Sequence, residues 1–192
     1  MTTTIGIVRH GITDWNGEKR LQGHTDIPLN EAGRRQAELV GKRMSGETWD
    51  VVYSSDLSRA NETARIAVER HGLVITKDVR LRETYFGEIE RTTEAERLDR
   101  WGRDWKNLDL GQESRDLVAQ RGVQALTDFA DRHPGKRILV FSHGNWIIQV
   151  LKKLVPHVDM SKPVQNTAVT LVHITADGRW ECDLYNCTRH LD

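Results

Sequence analysis

Cysteine is nearly absent from this chain: Cys182 and Cys187 are the only two. Their spacing matches no common zinc pattern and there is no second pair, which excludes a disulfide framework and a Cys-ligated metal centre. If both lie on one strand, their odd separation aims them at opposite faces. Two reduced thiols are the expectation. A surplus of charge is also missing, with 28 acidic against 28 basic side chains. That balance argues against nucleic acid or a membrane surface as the partner. No apolar run approaches the ~20 residues a bilayer-spanning helix needs. Met1-Thr2-Thr3-Thr4 leads straight into a short apolar strand with no signal-peptide pattern, so the expected compartment is the cytoplasm. No internal repeat, low-complexity stretch or linker interrupts the chain, and no two of the eight histidines have the i, i+4 spacing of a helical metal site. The expectation is one domain, 1–192, with neither cofactor nor metal.

What is present is an ordinary globular composition. The 192 residues are 38% hydrophobic, and a chain of this length buries roughly 70% of the surface it exposes when unfolded. The pattern alternates between strand and helix. Residues 5–9 read as a strand, followed by a long loop to Asn30. Asn30 reads as the N-cap of a helix carrying Ala37, Val40 and Met44, which stops near Gly46. Val51–Ser54 is a short strand, and Asp56 is placed to cap a helix through Ala60, Ala64 and Ala67 that His71-Gly72 ends. Leu73-Val74-Ile75 reads as a strand and 113–132 as a helix, with Glu113 in its first turn. A strand over 137–141 and a helix through Trp146–Leu151 follow. Val169–Thr175, Asp177-Gly178 and Trp180–Tyr185 read as a closing hairpin. Such alternation predicts a single three-layer α/β domain, with a mainly parallel sheet covered by helices on both faces and a C-terminal hairpin. Residues 88–112, highly charged but carrying Trp101 and Trp105, read as a substrate-covering segment. The two indoles either stack on a substrate or pack the cover onto the sheet.

Open parallel sheets bind ligands at the carboxyl ends of their strands. Three such ends carry polar groups here: Arg9-His10-Gly11, Ser54-Ser55 with Arg59 one turn on, and Ser142-His143-Gly144. Buried strands rarely stop on arginine and histidine unless something anionic sits at their end. A phosphate-sized anion is the simplest ligand, because a guanidinium forks onto phosphate oxygens and keeps its proton. Arg9 is a candidate clamp; Arg59 alone reads as an ordinary solvated first-turn helix residue, and becomes the second clamp through the resemblance below. A neutral imidazole is a good nucleophile near neutral pH, but the residues alone do not rank His10 against His143. Asn16 and Gln22 are candidate neutral donors to the phosphate, and Gly23 a point where backbone approaches the ligand. His24, His133, His157 and His173 read as ordinary histidines.

The longer run Arg9-His10-Gly11-x-Thr13-x-x-Asn16 resembles the signature of the histidine phosphatase superfamily, which is phosphoglycerate-mutase-like. The resemblance continues through Gln22-Gly23-x-x-Asp26-x-Pro28-Leu29-Asn30-x-x-Gly33 and Ser54-Ser55-Asp56-Leu57-x-Arg59-Ala60-x-x-Thr63-Ala64. It goes on through Leu81-x-Glu83-x-x-Phe86-Gly87, Gly111-x-Glu113-Ser114 and Ser142-His143-Gly144. Asn166-Thr167 and Tyr185-Asn186-x-x-x-His190-Leu191 are similar to the family's small broad-specificity phosphatases. The resemblance implies that His10 is the nucleophile and passes through a phosphohistidine. It implies that His143 donates to the phosphate, and that Glu83 protonates the leaving oxygen and then activates water. Related chains have a Gly-Glu-x-x-Gly pattern where this one has Gly87-Glu88-Ile89-Glu90-Arg91, so the loop path and the cover are expected to differ there. The implied activity is metal-independent hydrolysis of small phosphorylated metabolites. A mutase that returns the phosphate to bound product, or a non-catalytic phospholigand-binding module, are the competing readings. The family's glycolytic mutases are longer, which favours hydrolysis.

Overall fold

The computed structural model describes residues 2–192. Six strands form one sheet: β1 (Thr3–Arg9), β2 (Val51–Ser54), β3 (Ile75–Lys77), β4 (Arg137–Ser142), β5 (Val169–Ile174) and β6 (Trp180–Cys187). Their order across the sheet is β3-β2-β4-β1-β5-β6. The first four neighbours run parallel, while β5 and β6 are antiparallel and close the far edge as a hairpin. Six α-helices accompany them: α1 (Asp14–Gly17), α2 (Glu31–Met44), α3 (Ser58–Val68), α4 (Glu94–Trp101), α5 (Arg115–Arg132) and α6 (Gly144–Leu154).

Strand alternation divides the core in two. Ile5, Ile7, Ile138 and Val140 point to the face covered by α5 and α6, where Leu126, Phe129, Trp146 and Ile147 complete a buried cluster. Val8, Val52, Leu139 and Phe141 point to the other face, against Val40, Met44, Ala64 and Ala67 of α2 and α3. Each fully buried side chain of the Val/Leu/Ile/Phe class contributes about 1.5–3 kcal/mol. The central strands are therefore apolar on both sides, and the expected three-layer α/β domain is the observed one. No helix of the described residues is long and apolar enough to cross a membrane.

Several local expectations shift. β3 begins at Ile75 and not at Leu73: Gly72 ends the preceding turn in the left-handed region (φ 64°), and Val74 stays exposed before the chain reaches its register opposite β2. Asp56 does not cap α3, because its carboxylate is bound by Arg82 at 2.8 and 2.5 Å. The N-terminal amide of Ser58 instead donates to Asp26 Oδ1 at 2.8 Å, across 32 residues of sequence. Glu113 lies before α5, whose N-cap is Ser114; its carboxylate is turned back to Arg121. Asn30 caps α2 by accepting from the amide of Gly33, as expected.

The segment 88–112 is ordered. It holds α4, started by a Thr93/Glu96 capping box, between two single 3-10 turns. Trp105 is buried with Ile89 and Leu110, and Trp101, Leu21 and Phe86 pack against them. Arg97 stacks over the Trp105 ring with its carbon centre 4.7 Å from the ring centroid. The indoles thus pack the cover. At the position where related chains have glycine, Arg91 itself adopts φ 66°, a conformation that glycine takes without steric cost and arginine does not.

Candidate active site

β1 and β4 are adjacent and parallel, with Arg9 opposite Ser142 in register, and β2 flanks β4. The three polar strand ends singled out in the sequence therefore emerge side by side. The amide of His10 donates to the Ser142 carbonyl at 3.0 Å, and that of Ser55 to the Phe141 carbonyl at 2.9 Å. These bonds carry the sheet one step beyond its last strand residues and fix where the imidazoles start.

The rings of His10 and His143 lie with centroids 5.2 Å apart, tilted by 57°, and both residues are buried. His10 Nδ1 is 2.7 Å from the Gly11 carbonyl oxygen. A carbonyl only accepts, so Nδ1 carries the proton and Nε2 keeps its lone pair free. His143 Nε2 lies 2.9 Å from Ser55 Oγ, and its Nδ1 has no protein partner although it is buried. Burial first, then the charges of Arg59 and Arg9 among others, holds both imidazoles well below the ordinary value of 6.5.

The two guanidiniums are fixed by carbonyls. Arg9 donates through Nη1 to Val164 O at 2.6 Å. Arg59, 1% exposed, donates to Thr25 O at 3.0 Å and Gly23 O at 2.7 Å. The Nε of each is buried without a protein partner. Burial lowers both, Arg59 to about 10, so both remain cations at neutral pH. Glu83 sits across from them, 9% exposed. Its Oε1 accepts from the amides of Thr84 and Trp146, each at 2.9 Å, and Oε2 from that of Asn145 at 3.1 Å. Two of these donors are the first-turn amides of α6, whose N-terminus attracts negative charge.

Arg9, His10, Arg59 and Glu83 line one cavity of about 280 Å³ together with Asn16, Gln22 and Gly23. All seven of these expected positions are therefore brought together, and His143 lies beside His10. Asn16 spends its Oδ1 on the amide and hydroxyl of Thr13 at 3.0 and 3.2 Å, closing a capping box. Gln22 is buried with Oε1 unpartnered. Gly23 has φ 54° and a Cβ there would overlap the carboxylate of Glu90. Its glycine is thus required by Glu90, which ties the loop by accepting from His24, Thr25 and Phe86 amides, and the same backbone lines the cavity.

The superfamily described as histidine phosphatase (branch 1) matches residues 5–188. The chain belongs to the histidine phosphatase superfamily. Phosphoglycerate mutase-like protein 4 of Arabidopsis thaliana is 35% identical to it over 199 aligned residues, 98% of this chain and 86% of that one. The metal-independent phosphoserine phosphatase of Arabidopsis thaliana is 32% identical over 98% of this chain and 83% of its own. The solved structure of Bacillus stearothermophilus YhfR superposes with a TM-score of 0.90 at 30% identity, covering 99% of this chain and all of the other.

Around this superfamily site, the structure adds residues that sequence reasoning passed over. Arg121 donates to the carbonyls of Arg80, Arg82 and Glu83 at 2.7, 2.6 and 2.9 Å while pairing with Glu113 at 2.7 Å. It pins the loop segment that presents Glu83. Thr63 accepts from the Gly11 amide at 3.0 Å. Asn166 donates to the His10 carbonyl at 3.0 Å, and Thr167, at φ 56°, donates its amide to the Arg9 carbonyl at 3.1 Å. Thr63 and Asn166-Thr167 are legible in the sequence only as parts of motifs, with no role attached. Arg20 stands in the cavity wall, and nothing in the sequence distinguished it from other surface arginines. Among the described residues, no three His, Cys, Asp or Glu side chains gather so as to hold a metal ion.

Proposed function

We propose that the protein hydrolyses small phosphomonoesters through a phosphohistidine, without a metal. The observation that carries this reading is the free Nε2 of His10, left bare by the Nδ1 contact with Gly11, in the cavity that two guanidiniums and one carboxylate share. Phosphoryl transfer needs positioning and neutralisation of the charge spread over the transferring oxygens. Arg9 and Arg59 supply that neutralisation. With Ser55 Oγ–H donating to His143 Nε2, the His143 Nδ1–H is left to donate to a phosphoryl oxygen.

In the first step the Nε2 lone pair forms an N–P bond as the P–O bond to the alcohol breaks. Protonated Glu83 gives its proton to the departing alkoxide. In the second step the Glu83 carboxylate takes a proton from water, the hydroxyl oxygen bonds to phosphorus, the N–P bond breaks, and inorganic phosphate leaves. Asn16, through its Nδ2, and Gln22 contribute neutral contacts to the phosphoryl oxygens. The segment 88–112 covers the entrance and shapes the alcohol side of the cavity. The test is release of phosphate from p-nitrophenyl phosphate with and without a chelator, alongside interconversion of the two monophosphoglycerates. Turnover that survives chelation supports the reading. Interconversion as fast as hydrolysis replaces it with a mutase, and absence of any turnover replaces it with a binding module.

A further inference from the structure

The alcohol side of the cavity holds no cation available to a second anionic group. Its walls beyond the phosphate end are Leu21, Phe86, Ile148, Pro163 and Val164, with the neutral amide of Asn145. Leu21 and Phe86 are backed by the buried cluster of Ile89, Trp105 and Leu110, so the cover presents an apolar surface there. The one remaining cation in the wall is Arg20, and its guanidinium is already occupied. Nε meets Glu18 Oε2 at 3.0 Å, Nη1 meets Glu96 Oε2 at 2.8 Å, and Nη2 meets Glu96 Oε1 at 3.1 Å. Nη1 also donates to the Arg91 carbonyl.

Isolated surface ion pairs hold little, but this one is bidentate, networked and backed by a carbonyl, which is the geometry in which such pairs count. A substrate carboxylate reaching Arg20 would exchange one carboxylate for another and gain nothing net. The charge already in the site gives it no help. With Glu83 protonated, as the first step requires, the two guanidiniums are balanced by the phosphate dianion, so no surplus positive charge draws a further carboxylate.

We infer that the enzyme selects phosphomonoesters of uncharged alcohols, because Glu18 and Glu96 hold Arg20 away from any carboxylate on the substrate. This rests on the phosphatase reading above and names its substrate class. Glu96 is the point at which the device can be released. It accepts from the Thr93 amide at 2.7 Å in the capping box that starts α4. Glutamine preserves a capping box while discharging the pair, so Glu96→Gln removes the bidentate carboxylate from Arg20, leaving only Glu18 on its Nε, without unseating the cover.

The decisive measurement uses two ligands that differ only in CH2OH against carboxylate: glycerol 3-phosphate and 3-phosphoglycerate. Each competes against p-nitrophenyl phosphate hydrolysis by the intact enzyme. In the native enzyme the inhibition constant of 3-phosphoglycerate is expected to be weaker by about tenfold. In Glu96→Gln it tightens toward that of glycerol 3-phosphate, which itself stays within about twofold of its native value. Far-UV circular dichroism and melting temperature check that α4 and the cover persist. Should helix content fall, Glu18→Gln, outside α4, releases the same guanidinium from its other carboxylate and carries the comparison. Equal or tighter binding of 3-phosphoglycerate by the native enzyme overturns the inference, and unchanged constants in both glutamine variants overturn the role of Arg20. Failure of p-nitrophenyl phosphate to turn over at all strikes the phosphatase reading instead, so the two failures are separable.

Discussion

The Nδ1 atom of His10 is held 2.7 Å from the carbonyl oxygen of the next residue, Gly11. This contact settles the tautomer and leaves one nitrogen of the ring for phosphorus. His10→Ala is expected to reduce hydrolysis of p-nitrophenyl phosphate to background. Rapid acid-free quenching of the native enzyme during turnover should trap a base-stable, acid-labile phosphate on His10, read by mass spectrometry of the peptide. His143→Ala removes a donor and not the nucleophile, so a loss on the order of 10²–10³ in kcat is expected, the size of one lost transition-state donor. Turnover by His10→Ala at the native rate would remove the proposed nucleophile.

Glu83 is oriented by three amides and by Arg121, which grips the carbonyl of Glu83 itself. Glu83→Gln keeps the shape but cannot give a proton. Alkyl phosphates, whose alkoxides leave only when protonated, are expected to slow by about 10²–10⁴ in kcat. p-Nitrophenyl phosphate, with its stable leaving anion, should slow far less in its first step. Equal slowing of both substrates in kcat/KM, which reports the first step alone, would count against Glu83 as the acid, because the hydrolytic step that follows is common to both. Arg121→Met is expected to lower kcat on alkyl phosphates more than it raises KM, because the carboxylate loses its alignment while Arg9 and Arg59 still bind the phosphate.

What the sequence disclosed and what it withheld divide along one line. Arg59, inside a helix, was legible only through the family motif that begins at Ser54. Arg9, His10 and His143 were legible because each stands at or just past the end of an apolar strand, and a parallel sheet puts such ends together. The strands themselves were legible for the same reason: β1 and β4 are continuous apolar runs, as strands buried on both faces must be. The residues that set the geometry were not. Arg121 reaches the Glu83 segment across 38 residues, Asp26 caps α3 across 32, and Asn166 holds the His10 carbonyl across 156. Contacts of that range leave no period or spacing in a single chain. Glu90 stands in the sequence as one acid among several after Glu83, yet it organises the loop of Gly23 and Thr25. A carboxylate that accepts several backbone amides looks, as sequence, like any surface acid.

Gly11 and Gly33 interlock where the His10 loop crosses the start of α2. A Cβ on Gly11 would lie 2.5 Å from the Gly33 carbonyl oxygen, and one on Gly33 would overlap that of Ile12. Both obstacles are backbone, which cannot turn aside as a side chain can. Gly33→Ala is therefore expected to destabilise by about 1–3 kcal/mol, the cost of overpacking a fixed site, and to lower activity by displacing the loop that carries His10. Gly17→Ala meets nothing within 4 Å and lies in α1, so it should be neutral or stabilising by a few tenths to about 1 kcal/mol. Urea unfolding of the two variants reads the contrast directly. A Gly33→Ala protein as stable as Gly17→Ala would mean that the crossing is looser than this packing implies.

The same burial that keeps His10 and His143 neutral makes the fold sensitive to acid. Their folded values lie well below the ordinary 6.5, by desolvation first and the guanidinium charges next, and His190 is lowered to about 4 by burial and the nearby Arg43. As pH falls through 6.5 the unfolded chain takes up protons that the folded chain refuses, so stability drops, by up to about 1.4 kcal/mol per pH unit for each fully buried ring. The carboxylates whose values are depressed, Asp56 and Asp78 among them, add to this only below their ordinary value of 3.8, a separate window. Melting temperature is expected to fall steadily from pH 7 to pH 5, well before the carboxylates titrate. His10→Asn and His143→Asn should each flatten that slope without moving the loss at lower pH. A melting temperature that stays level from pH 7 to pH 5 in the native protein would mean that the two rings accept protons in the folded state. The bare Nε2 on which phosphoryl transfer depends would then be occupied in the acid range, and activity would have to fall along with it.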